Sequence, residues 1–140
     1  MKQVTFSNNK QVCVLGQGTW NMGRNPLKRK EEAAALLTGI ELGMTMIDTA
    51  EMYGNEEFIG RTVKEVRDKV FLVSKVHPDN ADHSGTIRAC ENSLRKLNTD
   101  YLDLYLLHWK SHYPLWETVD AMNELQRSGK IGLWGVSNID

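Results

Sequence analysis

The chain has 140 residues, a length that suits one domain with a sizeable core. Its formal net charge of -1 supplies no basic field, which excludes a general electrostatic attraction to nucleic acid. No apolar run approaches the roughly 18 residues that a membrane-spanning helix needs.

Val4-Thr5-Phe6 and Gln11-Val12-Cys13-Val14-Leu15 flank the polar turn Ser7-Asn8-Asn9-Lys10, the pattern of a hairpin. The segment before it has no apolar core of a signal peptide, so a cytoplasmic protein is expected. Cys13 and Cys90 lie far apart in apolar patterns and read as buried thiols outside any disulfide. No paired-cysteine or HExxH spacing is present, so no structural metal is expected.

Gly16-Gln17-Gly18-Thr19-Trp20 reads as the end of a first core strand. A helix follows over about 28–42, with Ala33, Leu36, Leu37 and Ile40 on one stripe and Gly43 as its cap glycine. Met44-Thr45-Met46-Ile47 is the second strand and runs into Asp48-Thr49-Ala50-Glu51-Met52-Tyr53-Gly54-Asn55-Glu56. Asn55 is expected to cap a second helix, with Glu56 and Glu57 favouring its dipole and Ile59, Val63 and Val66 buried.

Val70-Phe71-Leu72-Val73-Ser74-Lys75-Val76 is nearly continuous in apolar character, as a strand buried on both faces should be. Ser84 or Thr86 begins a third helix with Ile87, Cys90, Leu94 and Leu97 inward, and Asn98-Thr99-Asp100 ends it. The fourth strand is read over 102–109. A helix over about 115–127 turns Leu115, Val119, Met122 and Leu125 inward, and a fifth strand is read over 131–138.

Strand and helix recur at roughly 25 to 32 residues, the period of βα units. Such alternation gives a parallel sheet covered by helices, either doubly wound or part of a (β/α)8 barrel; periodicity does not choose between them. In both, chemistry gathers at the carboxyl ends of strands. The polar residues there are Thr19, Asp48, Lys75, His108 and Ser137-Asn138. Each has a plain structural explanation when taken alone, and one shared site explains them together.

That site would suit proton delivery to a carbonyl. Tyrosine is a weak acid at neutral pH, and a buried ammonium beside it favours the phenolate. A carboxylate paired with that ammonium limits its desolvation cost, and an imidazole donates to a carbonyl oxygen and orients it. The hydride must come from a cofactor. Gly16-x-Gly18 is not a Rossmann fingerprint, because position 21 is Asn and no acidic residue closes a strand at the required distance.

With these residues in place, the chain resembles the aldo-keto reductases from about residue 3 onward. Asp48-Thr49-Ala50 with Tyr53-Gly54-Asn55-Glu56 looks like the family's first signature, and Val73-Ser74-Lys75-Val76 looks like its lysine strand. Residues 103–109 look like its histidine strand, and Gly135-Val136-Ser137-Asn138 looks like its fifth-strand motif. The resemblance implies a (β/α)8 TIM-barrel fold preceded by a β-hairpin, and NADPH as hydride donor to a small-molecule aldehyde or ketone.

It makes Tyr53 the proton donor, Lys75 its modulator, Asp48 the partner of Lys75, and His108 the residue that orients the carbonyl. Ser137 and Asn138 would hydrogen-bond the nicotinamide carboxamide, and Gly18, Thr19 and Trp20 would lie along the ribose. Trp20, Met52, His77 and Trp109 would wall the substrate pocket. Five core strands against the family's eight imply an incomplete barrel, a single truncated domain over residues 1–140 with most of the NADPH grip in absent elements. If the chain is complete as given, its open sheet edges favour a homo-oligomer, and a catalytically impaired half-barrel is the alternative reading.

Overall fold

The strand and helix patterns resolve, in the computed structural model, into a short hairpin followed by a parallel β/α arc; residues 2–139 are described. β1 (Gln3–Thr5) and β2 (Gln11–Cys13) pair antiparallel, with Gln3 opposite Cys13. Asn9 takes a left-handed conformation (φ 62°) in their turn, a geometry that asparagine tolerates better than most residues.

The core sheet is β3 (Gly16–Gly18), β4 (Met46–Asp48), β5 (Phe71–Val76), β6 (Leu102–Leu107) and β7 (Ile131–Val136). Spatial order follows chain order, β3-β4-β5-β6-β7, and every pairing is parallel. A doubly wound sheet reverses its strand order at a switch point. None occurs here, so the sheet is an arc of a (β/α)8 barrel. The crossovers are α1 (Arg29–Glu41), α2 (Glu56–Val63) continued by a 3₁₀ segment (Lys64–Lys69), α3 (His83–Leu97) and α4 (Leu115–Arg127). No helix among the described residues is long and apolar enough to cross a membrane.

Strand pleating sorts side chains between two cores. Leu72 and Val76 of β5 join Ile47, Tyr105 and Leu107 beneath the helices. Phe71 and Val73 point the other way, with Val12, Met46, Leu104 and Leu106 in the barrel interior. Lys75 continues the row of Phe71 and Val73, as Asp48 continues that of Met46. Two polar groups therefore crown the apolar layer at its carboxyl end.

The other end is closed by the hairpin. Phe6 stacks on Phe71 with ring centroids 5.0 Å apart. Lys10 pairs with Asp103 of β6, which is only 2% exposed.

Several local expectations are corrected. Asn55 stands at the N-cap position of α2 but makes no capping bond. Its Oδ1 accepts from the Thr49 hydroxyl at 2.7 Å, and its amide donates to the Thr19 carbonyl at 2.7 Å. It therefore ties the loops after β3 and β4 together, a use that leaves no geometry for its own helix. Glu56 and Glu57 do stand in the first turn of α2, but Glu56 is 2% exposed there and accepts the Ser74 hydroxyl at 2.7 Å.

Val66 is half-buried, because the chain leaves α-helical geometry after α2. Leu115, the first residue of α4, is 51% exposed rather than inward, whereas Met122 and Leu125 deeper in that helix are buried. α3 starts at His83, one residue before the earlier of the two expected starts. β6 and β7 end at Leu107 and Val136, which leaves His108, Trp109, Ser137 and Asn138 on the loops that follow.

Burial raises the Glu56 carboxyl above its ordinary 4.5, opposed by the Ser74 hydrogen bond and the charge of Lys96. The folded protein thus holds this proton more tightly than the unfolded chain. The stability this contributes is fully present below 4.5 and is lost as pH rises through the raised value. Glu56→Gln removes the titration while keeping an acceptor for Ser74. Urea midpoints measured from acid to neutral pH are expected to decline less steeply in Glu56→Gln than in the parent protein.

Candidate active site

Each polar exit residue reaches the crown of the arc by a different local device. Asp48 is the last residue of β4, and its backbone carbonyl accepts from the Thr19 amide at 3.1 Å and the Thr19 hydroxyl at 2.9 Å. Thr19 is fully buried, so its side chain steadies Asp48 from beneath. Lys75, 6% exposed, donates to Asp48 Oδ1 at 2.6 Å and to the Thr49 carbonyl at 2.9 Å. The ammonium is thereby paired and hydrogen-bonded, the condition under which a buried charge is tolerable.

Tyr53 ends a 3₁₀ turn (Glu51–Tyr53) that Gly54 closes with φ 67°. That left-handed position disfavours any residue with a Cβ. The turn brings the phenol ring within 5.1 Å of Lys75 Nζ, measured to the ring centroid. His108 meets Tyr53 edge-on, with centroids 5.6 Å apart and planes at 74°. Asp48, Tyr53, Lys75 and His108, spread over 60 residues of sequence, thus form one constellation across three consecutive strands.

His108 is 8% exposed, and its Nδ1 is buried without a hydrogen-bond partner. Burial pushes its pKa below the ordinary 6.5, and the Lys75 ammonium pushes the same way, while Asp48 opposes them. At neutral pH the ring is therefore a neutral imidazole carrying one N–H.

Trp109 packs against His108 at 4.7 Å and against His77 at 5.0 Å, so two of the expected wall residues adjoin the constellation. Trp20 and Met52 are 64% and 48% exposed. Gly18 is exposed at the end of β3.

At the β7 exit, the Asn138 amide donates to the His108 carbonyl at 3.0 Å and to Ser137 Oγ at 2.9 Å. These bonds leave Asn138 Oδ1 as an acceptor beside the Ser137 hydroxyl as a donor. A primary carboxamide, with one NH₂ and one C=O, is the complement of that pair.

Three residues near the site carried no chemical reading in the sequence: Asn55, Glu51 and Thr49. The signal available was their place inside the Asp48–Glu56 stretch, where a short loop must be fixed by its own polar side chains. Thr49 and Asn55 bond each other within the stretch, but their further partners, Lys75 and Thr19, and those of Glu51, His77 and Asn80, lie on other segments, which no local pattern displays.

A parallel β/α arc with an acid, a phenol, an ammonium and an imidazole on neighbouring strand exits has the layout of a barrel protein, with its polar groups gathered on the carboxyl-terminal face. The chain belongs to the aldo/keto reductase family, whose model matches residues 14–140.

It is 56% identical over 142 residues to methylglyoxal reductase YeaE of Escherichia coli, covering 99% of this chain and 50% of that protein. It is 38% identical to aldo-keto reductase YhdN of Bacillus subtilis, covering 91% of this chain and 44% of that one. Among solved structures, an aldo-keto reductase from Klebsiella pneumoniae in complex with NADPH superposes with a TM-score of 0.95. That match has 54% identity and covers 99% of this chain and 50% of that structure. The chain spans about half the length of the curated relatives it matches.

Proposed function

We propose that this protein reduces the carbonyl group of small aldehydes or ketones, with NADPH as hydride donor and Tyr53 as proton donor. The observation that carries this reading is the Lys75 ammonium, held 2.6 Å from Asp48 and 5.1 Å from the centre of the Tyr53 ring. The Ser137–Asn138 pair fits a nicotinamide carboxamide, and the Klebsiella relative is a complex with NADPH. When bound, that cofactor supplies the hydride.

His108, neutral at pH 7, donates its N–H to the substrate oxygen and aims the carbonyl. As hydride reaches the carbonyl carbon, the C=O π pair moves to oxygen. That oxygen takes the Tyr53 proton, so one C–H and one O–H bond form. The phenolate left behind is stabilised by the adjacent Lys75 cation, and Asp48 holds the cation in place. Water then restores the phenol proton. Methylglyoxal is the first substrate to test, because a relative that is 56% identical bears the name of its reductase. Titration with NADPH followed by turnover of methylglyoxal tests the reading; cofactor consumption is expected, and its absence at saturating cofactor contradicts it.

A second reading concerns the 140-residue chain by itself, as a half-barrel that self-associates and grips cofactor weakly. It is favoured by β3 and β7, each paired on one side only among the described residues, and by Val136, 48% exposed on β7. Unpaired strand edges promote association between chains. Light scattering after size exclusion is expected to show a dimer or larger species under this reading, and a monodisperse monomer contradicts it.

A further inference from the structure

We propose that Glu51 is a positioning residue for Tyr53, an inference that rests on the reductase reading above. Glu51 opens the 3₁₀ turn that Tyr53 ends. Its Oε2 accepts from the His77 backbone amide at 2.8 Å, and its Oε1 accepts from the Asn80 amide group at 2.7 Å. Both partners lie on the loop that leaves the Lys75 strand. One half-buried carboxylate thus bolts the turn carrying the phenol to the segment that follows the ammonium.

The bolt closes a circuit. From Glu51 the chain of contacts runs through the His77 amide to the His77 ring, then to Trp109 at 5.0 Å, His108 at 4.7 Å and Tyr53 at 5.6 Å. Tyr53 is two residues from Glu51, so the ring is complete. The far side of the bolt is itself rigid. The Asn80 amide N–H donates to the His77 carbonyl at 2.9 Å, and the Asp79 amide donates to His77 Nδ1 at 3.2 Å. The Ser111 hydroxyl donates to the Pro78 carbonyl at 2.8 Å. The loop before the turn is tied to the Lys75 strand at Thr49, whose carbonyl accepts from Lys75 Nζ at 2.9 Å and whose amide donates to the Val73 carbonyl at 2.9 Å. Within the turn itself the Tyr53 amide bonds only the Ala50 carbonyl at 3.1 Å, and Glu51 supplies the side-chain tie to the segment after Lys75. Charge-assisted bonds to a carboxylate are the strong class, and two of them converge here.

Both partners of Glu51 are donors in the observed arrangement. Glu51→Gln keeps an acceptor for the His77 amide, and the Asn80 side chain can turn its oxygen toward the new NH₂. Glu51→Ala loses both bonds. Asn80→Ala, on the opposite side of the bolt, loses one and leaves the turn's sequence untouched.

The test uses the 140-residue protein and reads position apart from activity. In isotope-labelled protein, the ring-to-ring nuclear Overhauser effect between Tyr53 and His108 is expected in the parent, lost in Glu51→Ala, weakened in Asn80→Ala and retained in Glu51→Gln. Exchange of the His77 amide is expected to accelerate in Glu51→Ala. Where turnover is measured, kcat is expected to fall about 10²-fold in Glu51→Ala, the scale for a misplacement near 1 Å, with KM little changed. Glu51→Gln is expected to recover most of that loss.

A merely structural clamp would lower the urea midpoint and leave the Tyr53–His108 contact intact in the folded protein. That outcome overturns the proposal while the reductase reading stands. Absence of turnover in the parent protein contradicts the reductase reading, and the contact between the two rings still decides the role of Glu51. If Glu51→Ala does not fold, Asn80→Ala with an unweakened contact overturns the proposal.

Discussion

Tyr53→Phe is expected to lower kcat for carbonyl reduction by about 10²–10⁴-fold, the range for losing a positioned general acid. The substitution deletes one oxygen. The ring that meets His108 edge-on at 5.6 Å remains, as does the aromatic face near the Lys75 ammonium. Tyr53 is half-buried and its hydroxyl has no hydrogen-bond partner among the described residues, so the fold loses little. Cofactor affinity is also expected to hold, because the carboxamide complement at Ser137 and Asn138 lies at the exit of another strand. The loss should therefore appear in kcat with the cofactor dissociation constant unchanged. Steady-state kinetics beside a fluorescence titration with NADPH checks it, and activity within threefold of the parent would remove Tyr53 from its proposed role.

Asp103→Ala is expected to destabilise the fold by about 3–5 kcal/mol, the cost typical of removing one partner from a buried ionic network. The Asp103 side chain is 1% exposed and answers three donors: Arg67 Nη2 at 3.1 Å, the Leu72 amide at 2.9 Å and Lys10 Nζ. Arg67 is itself 15% exposed and is committed to the carbonyls of Val70 and Tyr101, with its guanidinium 4.0 Å from the centre of the Tyr101 ring. It cannot swing to water without giving up those contacts.

Alanine at 103 therefore leaves a shielded cation without its counter-charge, a buried amide of β5 without an acceptor, and the hairpin without its ionic tie. Asp103→Asn keeps an acceptor for Leu72 and should lie between the two. Urea unfolding at constant m-value measures the effect. A change under 1 kcal/mol would show that the network is solvated in solution.

Much of the sheet was legible because a parallel strand writes its burial into consecutive residues. Residues 70–76 are apolar but for Ser74 and Lys75, and each departure has a destination: Ser74 faces Glu56 beneath the helices, and Lys75 faces Asp48 above the barrel core. The constellation was legible for the same reason, since a polar residue after an apolar run stands at a strand exit. Periodicity could not distinguish a barrel arc from a doubly wound sheet, because both have the same βα rhythm. The choice lies in strand order, which is a property of pairing between segments.

The misread residues share that cause. Asn55 occupies a cap position in sequence, yet its side chain is drawn to Thr49 and Thr19, the latter 36 residues away. Glu56 is a first-turn acid as its spacing says, but its burial against a hydroxyl on the strand behind it is set by that other segment. Lys10 and Asp103, whose pairing no sequence pattern announced, are 93 residues apart and meet because the hairpin folds under the barrel floor. Leu115 satisfies the helical stripe by spacing, but as the first residue of α4 it is 51% exposed, while Thr118 in the same turn is buried.

The chemistry proposed for this site couples hydride transfer to a carbonyl carbon with proton transfer from Tyr53. Reduction of methylglyoxal with NADPH deuterated at the transferable nicotinamide position, followed by mass spectrometry of the product alcohol, tests it most directly. One deuterium on the former carbonyl carbon is predicted with the parent protein, with the yield reduced about 10²-fold or more by Tyr53→Phe. No reduced product from the parent, or reduced product without deuterium, would contradict it.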